Sequence, residues 1–427
     1  MTSRQSLHCI PTDVQCAILE IGMAKDPLQA LRSFQRNLSL LKDWRIIYAS
    51  DDGNGPFKLR RHSFCTSGFV STVFRGKSLW VIDYEAATSD TINILMGTAT
   101  FVDSNAASFV RRLAYRADPA APLLQFCKAM SDHFPLEELS RVNPYLYLWE
   151  AQRDKAEKTV MGVRQTMAAL HAIGLIQEPF DAQWGQKFRS QFREQAEAYA
   201  DDFLTDFYRT MDYTAPHIEG QVDLMEAMLV RTKIIEYSSA KGAASKMEEL
   251  VLFMHEEMST VMLRELIVCA DILCRGGLSQ LSQKLHSLHD KPAPLSTLRN
   301  CAWDLHLLRS MDRMSNTSND RSMGEFYVAN LITYDRDLAD ILRLAELRAG
   351  ALHRSSCMFF PLYDTNFDSW MEERVGRKRM PGLSSIFSPE GAVDRASRRS
   401  PSYVRQLLEE DRRTLMALLA RNKSTRA

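Results

Sequence analysis

Two acidic residues occupy the same kind of position in the sequence, directly after a short apolar run and directly before a helical pattern. Asp103 follows the run at 100–102, and Asp335 follows the run at 331–333. Runs that are apolar throughout are typical of buried strands in a parallel sheet, and such sheets place their sites at the carboxyl ends of the strands. We therefore expect Asp103 and Asp335 to emerge at that edge of a sheet.

Two further acids lie at helical positions that should be buried. One predicted helix has an apolar stripe at Cys301, Leu305 and Leu308. Asp304 lies on or beside this stripe, and Glu150 follows apolar residues in another predicted helix. A carboxylate in such a position is costly unless a cation compensates its charge.

Four carboxylates that converge at the end of a sheet would repel one another and raise their pKa values unless a divalent metal lay between them. Mg²⁺ or Mn²⁺ would suit the site, because hard cations bind carboxylate oxygens and leave the rest of their shell to water and phosphate oxygens. Such a metal orients and acidifies an attacking water and stabilises charge on a scissile phosphate. The predicted chemistry is the metal-dependent hydrolysis of a phosphoester.

The order of these motifs resembles that of PIN-like nuclease domains, a family of Mg²⁺- or Mn²⁺-dependent enzymes that mostly cleave RNA. The matching motifs are Val-Asp-Ser-Asn at 102–105, Trp-Glu at 149–150, Trp-Asp-Leu at 303–305 and Thr-Tyr-Asp-Arg-Asp-Leu at 333–338. The resemblance implies that the catalytic and metal-binding acids are Asp103, Glu150, Asp304 and Asp335. It also implies supporting roles for Asn105, Thr333 and Asp337.

The resemblance further implies an α/β fold with a parallel sheet flanked by helices. The cofactor would be Mg²⁺ or Mn²⁺, the substrate RNA, and the alternative substrate DNA. A role as a toxin or an antiviral defence effector is a hypothesis from family analogy, as are a regulatory protein partner and a homo-oligomer.

Each acid also has a structural interpretation. Asp103 and Asp335 could simply cap the helices that follow them. Asp304 could form an ion pair, and Glu150 could be a surface acid. The cations concerned are Arg299 and Arg309 for Asp304, and Arg153 and Lys155 for Glu150. If these interpretations hold, the protein is a catalytically inactive scaffold or regulator.

Other residues could replace individual acids. The alternatives for the second acid are Glu137, Glu138, Glu256, Glu257 and Glu265. Asp364, in a Tyr-Asp-Thr-Asn motif, mimics the opening motif but comes at the wrong end of the order. Carboxylates and a metal do not by themselves select the phosphoester, so a phosphatase or a flap-type DNA nuclease is a third hypothesis.

Apolar periodicity divides the chain into four predicted parts. They are an N-terminal α+β segment at 1–95, a discontinuous nuclease-like domain at 96–175 and 298–370, an all-helical insertion at 176–297, and a basic C-terminal tail with a helix at 371–427. A β-hairpin is predicted between 68–74 and 79–84, and helices at 247–274 and 337–349.

The chain has 427 residues, with 53 Lys or Arg and 53 Asp or Glu, so its formal net charge is zero. This balance excludes a protein that wraps a polyanion over its whole surface, but it allows a local basic region. The tail at 371–427, with 13 Lys or Arg and seven Asp or Glu, either contacts nucleic acid or is a solvated end. No apolar stretch is long enough for a membrane span, and the N-terminus lacks the apolar core of a secretory signal. We expect a cytoplasmic protein.

Overall fold

The protein is a mixed α/β fold with many helices and two sheets. The computed structural model describes residues 10–60, 62–64, 68–89, 94–274, 279–314, 325–356 and 358–424. The strands are β1 (Trp44–Ser50), β2 (Phe57–Lys58), β3 (His62–Phe64), β4 (Gly68–Thr72), β5 (Ser78–Ile82), β6 (Met96–Val102), β7 (Phe326–Thr333), β8 (Leu347–His353) and β9 (Phe359–Tyr363). One sheet has the order β2-β5-β1-β8-β9, and the other has the order β3-β4-β7-β6.

Helices cover most of the remaining chain. In the first part they are α1 (Thr12–Gly22), α2 (Pro27–Arg36), α3 (Tyr84–Ser89), α4 (Ser104–Tyr115), α5 (Ala121–His133), α6 (Leu136–Leu139), α7 (Tyr145–Ala151), α8 (Glu157–Leu175) and α9 (Ala182–Lys187). They continue as α10 (Arg193–Ser238), α11 (Ala243–Glu256), α12 (Leu263–Leu273), α13 (Gln280–His286), α14 (Pro294–Met314), α15 (Arg336–Leu344), α16 (Phe367–Val375), α17 (Met380–Ser384), α18 (Pro389–Arg398) and α19 (Pro401–Ser424). In the described ranges, no helix combines the length and the apolar character that crossing a membrane requires.

The central strand of the first sheet, β1, is buried along its whole length. Ile46 belongs to a small core with α1 and α2, whereas its neighbour Ile47 belongs to the main core. Successive residues of a strand point to opposite faces, so β1 serves both cores. Arg45 is also buried, and its guanidinium pairs with Asp83 at 3.0 Å and with Glu325 at 2.6 Å. This ion pair joins the first sheet to the residue that precedes β7.

The second sheet contains the strands that carry the predicted site. β6 and β7 are parallel, with Val102 opposite Ile332. In the described residues this is the one parallel ladder, so the prediction of a parallel sheet is corrected to a parallel pair within mostly antiparallel sheets. Only the antiparallel pairs β3–β4 and β8–β9 are close neighbours in the described sequence, whereas the helical block between β6 and β7 provides the long crossover that a parallel pair needs.

The predicted hairpin between 68–74 and 79–84 is wrong. β4 pairs with β7 in the second sheet, whereas β5 pairs with β1 in the first. Gly76 turns the chain between the two sheets with a φ of +78°, and a Cβ at this position would collide with the carbonyl group of Ser50. The glycine signals a turn correctly, but it does not say which strands the turn connects.

The predicted helix at 337–349 ends early. α15 stops at Leu344, and the next residues form β8, which pairs with β1 and β9. The sequence of β8 is rich in Leu, Ala and Arg, which favour helices, so the preferences of these residues predict a helix where the structure has a strand. A Cβ at Gly350 would collide with the Phe359 ring of β9, and this close packing is a tertiary feature.

The helical block is organised around α10, which at 46 residues is about 69 Å long. α8, α12, α14 and α19 all pack against it. α19, in the basic C-terminal region, is fixed to α10 by ion pairs between Arg231 and Asp411 at 2.8 Å and between Glu226 and Arg412 at 2.6 Å. The pattern at 247–274 proves to be two helices, α11 and α12, with a break that includes Ser259 at a φ of +49°.

Candidate active site

The candidate site lies where β6 and β7 end, because the two strands run in the same direction and each leads directly into a helix. Asp103 caps α4, and its carboxylate accepts a hydrogen bond from the N–H of Ala106 at 2.6 Å. Asp335 caps α15 and accepts from the N–H of Asp337 at 2.8 Å. The two predicted strand-to-helix junctions are therefore neighbours, and both acids cap their helices as the structural interpretation proposed.

Thr333, the last residue of β7, links the two acids. Its hydroxyl donates to Oδ2 of Asp103 at 2.6 Å and accepts a hydrogen bond from the N–H of Asp335 at 2.8 Å. Because Thr333 is fully buried, the packing of β7 holds this hydroxyl in place. The hydrogen bond that it donates favours the ionised form of Asp103 and partly offsets the cost of burying that carboxylate.

Glu150 and Asp304 reach the same region from two other helices. Glu150, near the end of α7, accepts a hydrogen bond from the hydroxyl of Ser104, the first residue of α4. Asp304, in α14, shares a small recess with Glu150, and the indole rings of Trp149 and Trp303 also line it. Residues far apart in the chain therefore meet at one place.

Burial and mutual repulsion act on these carboxyl groups together. Burial raises the pKa of Asp103 to about 7, and the charges of Asp335 and Glu150 add to the rise while the hydrogen bonds that Asp103 accepts oppose it. Burial also raises the pKa of Asp304 well above its usual value, with further contributions from Asp335 and Glu150. Burial raises the pKa of Asp335 as well. Asp103 and Asp304 thus each lie within electrostatic reach of Asp335 and Glu150.

Lys284, in α13, is a cation that faces the cluster. Its ammonium group lies 3.3 Å from Oδ2 of Asp337. Burial lowers the pKa of Lys284, but nearby negative charges, among them Asp304 and Asp337, outweigh this effect and raise it. The positive charge in turn moderates the rise in the pKa of Asp304 and Asp335. Because this ammonium group pairs with Asp337, it compensates the four acids only in part.

The ion pair proposed as an alternative for Asp304 is wrong. Arg299 pairs with Glu219, Asp223 and Glu226, and Arg309 pairs with Glu265. Most of the alternative acids also have side-chain partners of their own. These pairs are Glu137 with Arg141, Glu138 with Arg60, Glu257 with Tyr403, Glu265 with Arg309, and Asp364 with Arg75 and Arg348.

The three supporting residues differ in their positions. Thr333 bridges the first and fourth acids, and Asp337 contributes both its N–H to Asp335 and its carboxylate to Lys284. Asn105 is exposed on the first turn of α4. The structure therefore gives Thr333 and Asp337 direct contacts with the cluster and leaves the side chain of Asn105 exposed on α4.

The chemistry of the donors fits a hard divalent cation, because each acid offers carboxylate oxygens and their repulsion would be relieved by a bound positive charge. In the described part of the chain, no group of three or more His, Cys, Asp or Glu side chains has the spacing of a preformed metal site. The carboxylates that would hold Mg²⁺ or Mn²⁺ are Asp103, Glu150, Asp304 and Asp335.

Two contributors to the site were not expected from the sequence. Ser104 lies inside the first motif, so its position next to Asp103 was an available signal. Lys284 lies in the helical insertion, and no local pattern indicates that α13 approaches α15; the contact arises from the packing of these two helices.

No protein-family model, curated protein or solved structure matches this chain significantly. The function is therefore inferred from the geometry and the electrostatics of the site.

Proposed function

We propose that the protein is a metal-dependent endonuclease of the PIN-like type that cleaves RNA phosphodiester bonds. The observation that carries the proposal is the meeting of Asp103, Glu150, Asp304 and Asp335 at the carboxyl ends of two parallel strands, in the order that the resemblance implies. Strongly raised carboxyl pKa values without matching cations are more typical of functional sites than of stabilising ion pairs.

The residues around the acids orient them. Thr333 and the N–H of Ala106 hold the carboxylate of Asp103, and Ser104 holds that of Glu150. α4 and α15 begin at the site, where the positive ends of their dipoles favour a phosphate anion. When bound, Mg²⁺ or Mn²⁺ would supply Lewis-acid stabilisation of the phosphate and lower the pKa of an attacking water.

The proposal is tested by incubating end-labelled RNA and DNA oligonucleotides with the protein in Mg²⁺, Mn²⁺ or EDTA. We expect cleavage of RNA that requires the metal and that Asp103→Asn and Asp335→Asn abolish. Asp181→Asn is the matched control, because Asp181 also caps a helix, α9, by accepting from two backbone N–H groups. Equal cleavage by all four proteins, or cleavage by none, would contradict the proposal, and cleavage of DNA alone would replace the substrate.

The role as a toxin or a defence effector depends on this activity. Induced expression of the wild type should arrest the growth of a bacterial host, and expression of Asp335→Asn should not. Growth that is equally slow with both proteins would separate the toxicity from the site.

A second candidate is an inactive interaction protein. It is favoured by the capping roles of Asp103 and Asp335, which give both residues a structural purpose. If the wild type cleaves no oligonucleotide in any metal and the Asn variants fold normally, this candidate replaces the nuclease.

A further inference from the structure

A groove of about 700 Å³ lies beside the acid cluster, between α4, the end of α7 and α8. The polar residues that line it include Ser104, Arg111, Glu150, Arg153 and Lys158. We call it the basic groove. Glu150 lines both the basic groove and the small recess that holds Asp304, so the groove leads to the acids.

The cations of the basic groove are available to a ligand. In the part of the chain that the structure describes, none of Arg111, Arg153 and Lys158 lies within 4.0 Å of a carboxylate oxygen. Arg153 extends instead over the ring of Trp303, 4.8 Å from its centroid. By contrast Arg164, further along α8, is paired with Asp201 at 2.6 Å. The groove therefore differs from the neighbouring surface, where acids neutralise the arginine.

The acids of the groove are already engaged. Glu150 accepts the hydroxyl of Ser104, and Asp154 accepts the N–H of Ala156 at 2.9 Å and the hydroxyl of Thr159 at 2.6 Å. These hydrogen bonds hold the two carboxylates in place without removing their charge, so the three cations that line the groove exceed its two acids by one.

Gly162 allows Arg111 to reach the groove. The guanidinium of Arg111 lies over Gly162 in α8, and a Cβ at that position would collide with it. Glycine inside a helix costs about 1 kcal/mol relative to alanine. The space that Gly162 leaves is filled by the cation.

We infer that the basic groove binds the sugar–phosphate backbone of a single-stranded nucleic acid and leads the strand to the acid cluster. The delivery to the acids rests on the proposed function, whereas the binding does not require cleavage. A positively charged groove that follows the backbone is how proteins hold single strands. Pockets for small ligands measure about 300–1,000 Å³. At about 700 Å³ the groove lies within this range, so it has room for a short stretch of one strand.

The test measures the binding of a short fluorescent RNA, and of the DNA of the same sequence, by anisotropy in EDTA over a range of salt concentrations. Three phosphate contacts on a single strand predict that log Kobs falls with log salt with a slope of about −2. Arg111→Gln and Lys158→Gln should each weaken binding about five- to tenfold and make the slope less steep by about 0.7. Arg112→Gln, the next residue of α4 and exposed outside the groove, is the matched control and should bind as the wild type does.

Gly162→Ala tests the position of the cation without changing the charge. It should weaken binding about two- to threefold, because Arg111 must move while the net charge of the groove is kept. Thermal melting should show that this variant folds as well as the wild type.

Unchanged binding in Arg111→Gln and Lys158→Gln, or no binding by the wild type at low salt, would overturn the inference. The result also separates the inference from the proposed function. Metal-dependent cleavage together with unchanged binding in these variants would reject the role of the groove and support the nuclease proposal. If the wild type binds in a salt-sensitive way, these variants do not bind, and no metal supports cleavage, the role of the groove is supported and the nuclease proposal is rejected.

Discussion

Two regions of the protein contain several buried or partly buried charged side chains, and they differ in how the charges are compensated. In the first, which we call the arginine network, Arg264 pairs with Asp312 at 2.8 Å and Arg309 pairs with Glu265 at 3.1 Å, between α12 and α14. In the second, the acid cluster of Asp103, Glu150, Asp304 and Asp335, the charges of neighbouring carboxyl groups add to the raised pKa of Asp103 and Asp304, and Lys284 pairs with the adjacent Asp337.

The sign of the neighbouring charge separates the two regions. Burial raises the pKa of Asp312 in the arginine network, but the charge of Arg264 works against the rise. Burial likewise raises the pKa of Asp304, and there the charges of Asp335 and Glu150 add to it. A buried charge with a partner of opposite sign is compensated within the protein, whereas like charges held together lower the stability of the fold and are expected where a ligand compensates them.

The largest expected effects are a loss of activity from a substitution in the acid cluster and a loss of stability from a substitution in the arginine network. Asp335→Asn should lower the rate of RNA cleavage by about 10²- to 10⁴-fold with little change in the free energy of unfolding. Asp312→Asn should lower the free energy of unfolding by about 3–5 kcal/mol, because it leaves Arg264 buried without its partner. Cleavage assays and urea titrations of both variants measure the two quantities.

A double variant controls for the arginine network. Arg264→Met with Asp312→Leu removes both charges and should recover much of the lost stability. The comparison fails if Asp335→Asn destabilises the protein as much as Asp312→Asn does.

The next effect is the pH dependence that Asp103 imposes. Its pKa is about 7 in the folded protein against 3.8 for an ordinary Asp, so the folded state holds the proton more tightly. Its contribution to stability is fully present below about pH 4 and is lost as the pH rises to 7, by up to roughly 4 kcal/mol. In EDTA, Asp103→Asn should therefore gain stability relative to the wild type across this range.

Urea titrations at several pH values measure this difference, with Asp181→Asn as the exposed helix-cap control. A constant difference in the free energy of unfolding between Asp103→Asn and the wild type from pH 4 to 7 would show that Asp103 is not desolvated as the structure indicates.

Added Mg²⁺ should change the stability of variants of the two regions differently, and this effect is smaller than the preceding ones. A ligand present at 100 times its Kd stabilises the folded state by about 2.7 kcal/mol, which corresponds to a rise of several degrees in Tm. We expect this rise for the wild type and for Asp312→Asn, and no rise for Asp335→Asn. Thermal melting with and without Mg²⁺ measures this difference. Equal rises in Tm for all three proteins would show that the metal binds outside the acid cluster.

The smallest expected effect concerns Ser104, which orients Glu150. Ser104→Ala removes one hydrogen bond, worth about 1 kcal/mol, so cleavage should fall about fivefold. The control is Ser190→Ala. It removes a hydroxyl that donates to the backbone carbonyl of Gln186, four residues earlier in the chain, and it should leave the rate unchanged. A rate for Ser104→Ala equal to that of the wild type would mean that Glu150 does not need this contact.

The two strand-to-helix junctions could be predicted because their signals are local. An apolar run, an acid and a helical pattern lie within a few residues, and an Asp in this place caps the next helix by contacts within three residues. The same local reasoning failed for β8, where strand pairing with β1 and β9 outweighs the helical preference of its residues. It also failed for β4 and β5. The turn between them was predicted correctly, but the two strands belong to different sheets and form no hairpin.

The sequence alone predicted β6, β7 and the acids that cap the helices after them, since periodicity and capping depend on neighbours in the chain. It did not specify the hydroxyl that holds Glu150, the lysine that faces Asp337, or the glycine that makes room for Arg111. Those contacts join segments far apart in the chain, and they follow from the way apolar burial packs α4, α7, α8, α13 and α15 around β6 and β7. Which charges become neighbours is a result of that packing, and it separates the acid cluster from the arginine network.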